Sequence, residues 1–159
     1  MLIPFREPVQ QAASMSRQHK RFLEIHEEDD FVREYMEAIG HHEFGKGLRP
    51  VNLDDWLDDA PSPSELSCWV QYWTAAYEHV LAHQGDNTVL LSYARLTEEP
   101  DNALSQLADA IDVPEADLLS QADRLHPPRT HDVDTSAVPN TLLQRATDTY
   151  GRLTQNAQA

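Results

Sequence analysis

The sequence has one cysteine, two lysines and no apolar run long enough to cross a membrane. A single cysteine, Cys68, cannot form an internal disulfide, which suits a reducing compartment. So few basic residues leave no basic stripe for a nucleic-acid backbone, and nucleic acid is therefore disfavoured as a partner. The amino terminus also lacks the basic segment and sustained apolar run of a signal peptide, so we expect a cytoplasmic protein with no membrane span.

What the chain has in excess is acid. Aspartate and glutamate number 27 against 12 lysines and arginines, for a formal net charge of −15. Aspartate predominates and lysine is scarce, a surface typical of a cytoplasmic protein adapted to concentrated salt, which screens the self-repulsion. Hydrophobic residues make up 40% of the chain and include three tryptophans, which indicates one folded domain rather than a disordered acidic tail.

The first 21 residues are the exception to this acidity. They contain one acidic residue, Glu7, and four basic ones, Arg6, Arg17, Lys20 and Arg21. A basic island in an acidic protein is a reasonable place for an anion to bind, because the surrounding field repels anions elsewhere. A solvated basic helix face is the simpler alternative, and charge by itself favours it.

The same stretch predicts a strand, a turn and a helix over residues 1–24. Leu2, Ile3 and Phe5 form a short apolar strand, and Pro4 within it suits an edge position. Pro8 suits the first turn of a helix, where its missing N–H costs nothing. Open α/β sheets place phosphate sites at such strand-turn-helix elements.

The spacing Arg6-x-Pro8-x5-Ser14 resembles the 3′-phosphate-binding element of sulfotransferases that use 3′-phosphoadenosine 5′-phosphosulfate (PAPS). In that family an R-x-P-x5-S pattern follows a central strand, and its arginine and serine hold the 3′-phosphate of the nucleotide. The resemblance therefore implies that Arg6 and Ser14 bind this phosphate, for which a guanidinium fork and a hydroxyl are suitable donors. From the residues alone, a salt-bridged arginine and a serine that only fills the helix remain an alternative.

Further elements are predicted after this one. They are a helix begun by Asp29 or Asp30 with an amphipathic stripe of Phe31, Tyr35, Met36 and Ile39; loops over 40–63; a long helix from about Ser64 to His83; a buried parallel strand over 88–93; a turn over 94–100; and helices near 101–111, 114–125 and 139–153.

The back half of the chain also resembles sulfotransferases, in which a Trp/Tyr-rich helix, a strand ending in tyrosine, a turn closed by proline and a leucine-striped helix follow one another. Here these are YWTAAYEHVLAH and VLLSYARLTEEPDNALSQLADAIDVP. Many members end the strand in Tyr-Glu-Asp-Leu, whereas this chain has Tyr93-Ala94-Arg95-Leu96, so no role of the acidic pair is carried over. The family's basic loop near the carboxyl end, which adds contacts to the 3′-phosphate, has one candidate counterpart, Arg129; a proline-stiffened connection without a ligand is the alternative.

Histidines are the other candidates for chemistry. The pairs His41-His42 and His79/His83 have zinc-like spacing, but without a cysteine partner or an H-E-x-x-H motif solvated side chains are the simpler interpretation. His19 follows Ser14 in the first helix and is a candidate to line the same anion site.

No Gly-Lys-Ser/Thr run is present, whereas in the family an amino-terminal Lys/Ser/Thr-rich loop holds the phosphosulfate, and the catalytic base usually precedes the R-x-P element as well. The resemblance thus covers nearly all of this chain but only the latter half to two-thirds of a family member, and no catalytic residue is assigned. We expect residues 1–159 to form a single incomplete domain, an α/β, helix-rich part of a P-loop-like three-layer fold with few parallel strands. Two strands do not make an independently stable sheet, so an oligomer or a partner is expected to cover its open faces and edges.

Two functions follow from the resemblance. The first is a PAPS-dependent sulfotransferase that transfers a sulfuryl group to an unknown alcohol or amine acceptor, with PAPS as co-substrate and no metal. The second is a non-catalytic remnant that binds a nucleotide or a partner. An acidic helical scaffold without a ligand is the remaining alternative.

Overall fold

The computed structural model describes residues 1–158. Within that range the order of strands and α-helices is β1 (Leu2–Phe5), α1 (Pro8–Glu28), α2 (Asp30–Ala38), α3 (Leu66–His83), β2 (Val89–Ser92), α4 (Tyr93–Glu98), α5 (Pro100–Ile111), α6 (Glu115–Leu119) and α7 (Asn140–Asn156). Short 3₁₀ segments lie at Gly45–Gly47, Leu53–Asp59 and Ala122–Arg124. The prediction of a mixed α/β, helix-rich fold with few parallel strands is confirmed at this level.

The predicted strand-turn-helix at the amino terminus is present, and its capping explains why α1 begins where it does. Pro8 occupies the first turn of α1. The Glu7 carboxylate accepts hydrogen bonds from the backbone N–H groups of Val9 (3.1 Å) and Gln10 (2.7 Å). These two donors have no partner inside the helix, so the cap satisfies them. Only Arg6 and Glu7 separate β1 from α1.

The core lies on both faces of β2. Helix α3 packs between α1 and α7, and its Val70 and Trp73 are buried with Phe5 of β1 and Leu90 of β2 in the larger apolar cluster. A second cluster joins Val89 and Leu91 of β2 to α5, through Ala103, Leu104 and Leu107. All four residues of β2 are therefore buried, as is typical of a strand covered by helices on both sides.

The two strands pair in parallel, with Leu2 opposite Val89 and Phe5 opposite Ser92. Alternate residues of a parallel strand turn their backbone groups to the same edge, so Pro4 and Leu90 face outward. The Tyr77 hydroxyl donates to the Pro4 carbonyl (2.7 Å), and Pro4 has no N–H to leave open. Gln158 bonds both backbone groups of Leu90, accepting at 2.7 Å and donating at 3.2 Å. Residues of the same protein thus hydrogen-bond to both edges of the sheet at these positions, whereas the sequence analysis predicted open edges.

Three elements differ from the sequence-based expectation. The helix expected near 114–125 is the short helix α6 followed by a separate 3₁₀ segment at Ala122–Arg124. Residues 93–98 form helix α4 rather than a turn, because the Ser92 hydroxyl at the end of β2 accepts from the Arg95 N–H and caps the helix. Most of the amphipathic stripe of α2 lies in solvent: Phe31, Tyr35 and Ile39 are exposed, and Phe31 stacks on Tyr35 with 6.1 Å between ring centroids. Met36 alone of the stripe is half-buried, against His26. Among the helices of residues 1–158, none combines the length and apolarity needed to cross a bilayer.

Candidate functional site

The register of the two strands brings Arg6 beside Tyr93. Phe5 pairs with Ser92, so the residues that follow them leave the sheet side by side at its carboxyl edge. The Arg6 guanidinium carbon lies 5.4 Å from the centroid of the Tyr93 ring, within cation–π range. In parallel sheets this edge is the usual location of ligand sites.

The turn that carries Arg6 is anchored to the core. The Gln11 side-chain oxygen accepts from the Arg6 backbone N–H (3.3 Å) and from the indole N–H of Trp73 (3.1 Å). Trp73 is 2% exposed, so this contact ties the turn to the central helix α3. The Arg6 backbone is therefore held by Gln11 and, through Gln11, by the buried Trp73, while the Arg6 side chain lines an open cleft.

That cleft contains all three residues that the sequence singled out for phosphate binding. Its volume is about 570 Å³, within the range of small-molecule sites. Arg6 comes from the end of β1, Ser14 from α1 and Arg129 from the loop between α6 and α7. The other lining residues are Arg17, Gln18, Arg21, Tyr93, His126, Pro127, Pro128 and His131.

Two contacts pin the loop that brings Arg129 into the cleft. The Tyr93 hydroxyl donates to the His126 carbonyl (3.3 Å). The Gln10 side chain makes a pair of hydrogen bonds with the backbone of His131: its amide donates to the carbonyl (3.0 Å), and its oxygen accepts from the N–H (2.8 Å). The loop has no regular secondary structure, so these side chains fix its position across from α1.

The cleft is positive and its arginines are not neutralised by carboxylates. The ion pairs of residues 1–158 are made by other groups, namely Arg33, Lys46, Arg145, His41 and His79. No acidic residue lines the cleft. The pKa of His131 is lowered, first by partial desolvation and then by the charges of three arginines, Arg17, Arg6 and Arg129. Such a field favours the binding of an anion.

An apolar cavity of about 220 Å³ adjoins the cleft. The two share Arg6, Tyr93, Pro128 and Arg129 as walls. The remaining lining residues of the smaller cavity are Glu7, Gln10, Ala94, Thr130 and Tyr150. The site therefore offers a charged compartment and an aromatic one next to it.

The candidate histidines lie elsewhere. His19 is buried on the opposite side of α1, against Trp69 with 5.4 Å between ring centroids, so it does not line the anion site. His42 lines a separate cavity beside Trp69. His79 bonds the Asp54 carboxylate at 3.0 Å. In the described chain no group of three or more His, Cys, Asp or Glu side chains comes together as metal ligands.

Sequence reasoning placed Arg17 and Arg21 in the basic island without giving either a ligand, and it gave no binding role to Tyr93 or His131. A signal for the first two is present, because Ser14, Arg17 and Arg21 recur at i, i+3 and i+7 and so share one face of a helix. His131 had no local signal, since only the tertiary contact with Gln10 brings it to α1.

Comparison with family models, curated proteins and solved structures found no match for this chain. The function must therefore be argued from the cleft itself and from the resemblance in sequence pattern.

Proposed function

We propose that the cleft binds the 3′-phosphate of PAPS and that the protein is a sulfotransferase acting on an alcohol or amine. The observation that supports this proposal is the convergence of Arg6, Ser14 and Arg129 on one cleft without a carboxylate partner. A structural role for Arg6 as half of a salt bridge, the alternative left open by the sequence, finds no carboxylate to support it in residues 1–158.

Each of the three residues has a distinct task in this proposal. Arg6 offers a planar fork of N–H donors to two phosphate oxygens. Ser14 adds a neutral hydroxyl donor from the second turn of α1. Arg129 closes the site from the pinned loop and brings a second positive charge. A phosphate monoester carries a charge of about −1.5 to −2 at neutral pH, so two guanidinium groups balance it.

The adenine ring lies, in this proposal, in the adjoining apolar cavity. Tyr93 and Tyr150 line that cavity, and we place one ligand across the cavity and the cleft because the two share lining residues. Stacking of a base on an aromatic side chain contributes roughly 1–3 kcal/mol. The proposal extends to the fold: β1 and β2 are neighbouring strands of a P-loop-like three-layer architecture, which the parallel pairing and the burial of β2 on both faces support.

In the reaction the acceptor oxygen or nitrogen loses a proton to solvent and forms a bond to sulfur. The bond between sulfur and the bridging oxygen of the 5′-phosphate breaks, and 3′,5′-adenosine bisphosphate leaves. The residues named above bind and orient the nucleotide for this step.

A second candidate is a nucleotide-binding module that performs no transfer. One observation favours this candidate. The cleft is lined by residues suited to bind the 3′-phosphate, whereas the sequence has no Gly-Lys-Ser/Thr run suited to bind the phosphosulfate. Both candidates predict the same nucleotide site.

Calorimetric titration with 3′,5′-adenosine bisphosphate tests that site. We expect Arg6→Ala to weaken binding roughly tenfold or more, the effect of removing charge-assisted hydrogen bonds. Arg33→Ala is the matched control, because Arg33 is paired with Asp30 on α2 and does not line the cleft. Equal affinity for 5′-AMP and the bisphosphate, or unchanged binding in Arg6→Ala, would refute the site. Transfer of labelled sulfate from PAPS to an acceptor then separates the first candidate from the second.

A further inference from the structure

Helix α1 presents a row of polar side chains to the cleft, and the proposed function uses only the first of them, Ser14. The row is Ser14, Arg17, Gln18 and Arg21. Their spacing of i, i+3, i+4 and i+7 places them on one face, and at 1.5 Å per residue the row is about 10 Å long. Ser14 is at the end nearer the sheet, and Arg17 and Arg21 lie one and two turns further along.

The charge of the cleft exceeds what one phosphate requires. The proposed 3′-phosphate site uses Arg6 and Arg129, which leaves Arg17 and Arg21 without a compensating charge. No ion pair in residues 1–158 involves either of them, although acidic residues outnumber basic ones 27 to 12 in the chain. Two exposed arginines on a helix are unremarkable alone. Here they line the same cleft as two further arginines, and the four positive charges repel one another. A bound anion would offset this repulsion.

We propose that Arg17 and Arg21 bind a second anionic group, the phosphate or sulfate ester of a ligand, about one to two turns along α1 from the first. The first group is the 3′-phosphate of the proposed function, and to that extent this inference rests on it. The second group belongs either to the same nucleotide or to a separate acceptor molecule that is itself an anion. The specificity of the cleft is then for ligands with two negative groups rather than one.

The shape of the cleft favours a small ligand over a polymer. The 126–131 loop, pinned by Tyr93 and Gln10, forms the wall opposite α1. The volume of about 570 Å³ accommodates a molecule of nucleotide size. Outside the amino-terminal stretch the chain is strongly acidic, so a long polyanion would meet repulsion on leaving the cleft.

The test follows the arginine Nε–Hε NMR signals of the full-length protein as sodium sulfate is added, first alone and then with saturating 3′,5′-adenosine bisphosphate. Sulfate represents the ester group. The double variant Arg17→Gln/Arg21→Gln is compared with Lys20→Gln, which removes a charge from the same helix without altering the lining of the cleft. We expect saturable shifts of the Arg17 and Arg21 signals. Sulfate affinity should fall about tenfold or more in the double variant and by less than about twofold in Lys20→Gln.

The two sources of the second anion give different results, each of which supports the site. If a separate acceptor supplies it, sulfate still shifts Arg17 and Arg21 when the nucleotide is bound. If the nucleotide supplies it, the bisphosphate shifts these signals itself, and the double variant weakens the bisphosphate more than it weakens 3′-AMP.

Other results overturn the inference. One such result is that the shifts of the Arg17 and Arg21 signals do not saturate as sulfate is added. Another is that sulfate affinity falls equally in the double variant and in Lys20→Gln. Either would mean that the arginines act only through a diffuse electrostatic field. Failure of the proposed function is a separate outcome, because no nucleotide would then bind while sulfate still titrated Arg17 and Arg21.

Discussion

Replacing Gln10 with methionine should release the wall of the cleft while leaving Arg6 and Ser14 in place. Methionine has nearly the volume of glutamine but cannot make the two hydrogen bonds to the His131 backbone, at 2.8 and 3.0 Å. Each such bond contributes roughly 0.5–1.5 kcal/mol net, so the docked loop should lose about 1–3 kcal/mol relative to the open one. That corresponds to a change of about 5–150-fold in the docking equilibrium.

Hydrogen exchange of the His131 amide measures this loss directly, because that N–H donates to Gln10. Its exchange should accelerate by the same factor, and binding of 3′,5′-adenosine bisphosphate should weaken as Arg129 leaves its place. Gln144→Met is the matched control, since Gln144 is an exposed helical glutamine bonded to Asp148 on α7, away from the cleft. If Gln10→Met exchanges and binds as Gln144→Met does, the loop is held by something else and the reasoning fails.

Two further predictions concern the loop after α2. Gly45→Ala should lower the free energy of unfolding by roughly 2–5 kcal/mol, because a Cβ there lies 2.6 Å from the His26 ring and φ is +76°. Gly85→Ala is the control, since its Cβ meets nothing within 4 Å, and it should change that free energy by less than about 0.5 kcal/mol. Denaturant titrations measure both. His19 is buried and its ring accepts a hydrogen bond from the Gly45 N–H at 3.2 Å. Burial, and then the charge of Lys20, lower the pKa of His19. The stability that neutral His19 contributes is therefore present above pH 6.5 and is lost as pH falls below that value. Between pH 6.5 and 5 the wild type should lose stability more steeply than His19→Asn, by at most about 1.4 kcal/mol per pH unit, and equal slopes in urea unfolding would contradict this.

The predictable parts of the fold are those set by neighbours in the chain. Glu7 and Pro8 start α1 because capping and a fixed φ act within one turn, and Asp29 starts α2 in the same way through the N–H groups of Phe31 and Val32. Such effects need no knowledge of the rest of the molecule. The stripe of α2 shows the limit, since periodicity identifies the helix but does not reveal that no other element covers Phe31.

The amino-acid sequence by itself determined a basic, strand-turn-helix element in an acidic α/β protein, and its resemblance to sulfotransferases indicated three residues for one anion, Arg6, Ser14 and Arg129. Their meeting in a single cleft was decided by the tertiary structure, through the pairing of β1 with β2 and the bonds of Gln10 to a loop 121 positions away. The spacing of residues along the chain decides which side chains share a face of a helix or a turn, because capping and helical periodicity act over only a few residues. Which of these groups share a cleft depends on long-range contacts, namely the packing of α1 and α7 on α3 and of α5 on the other face of β2.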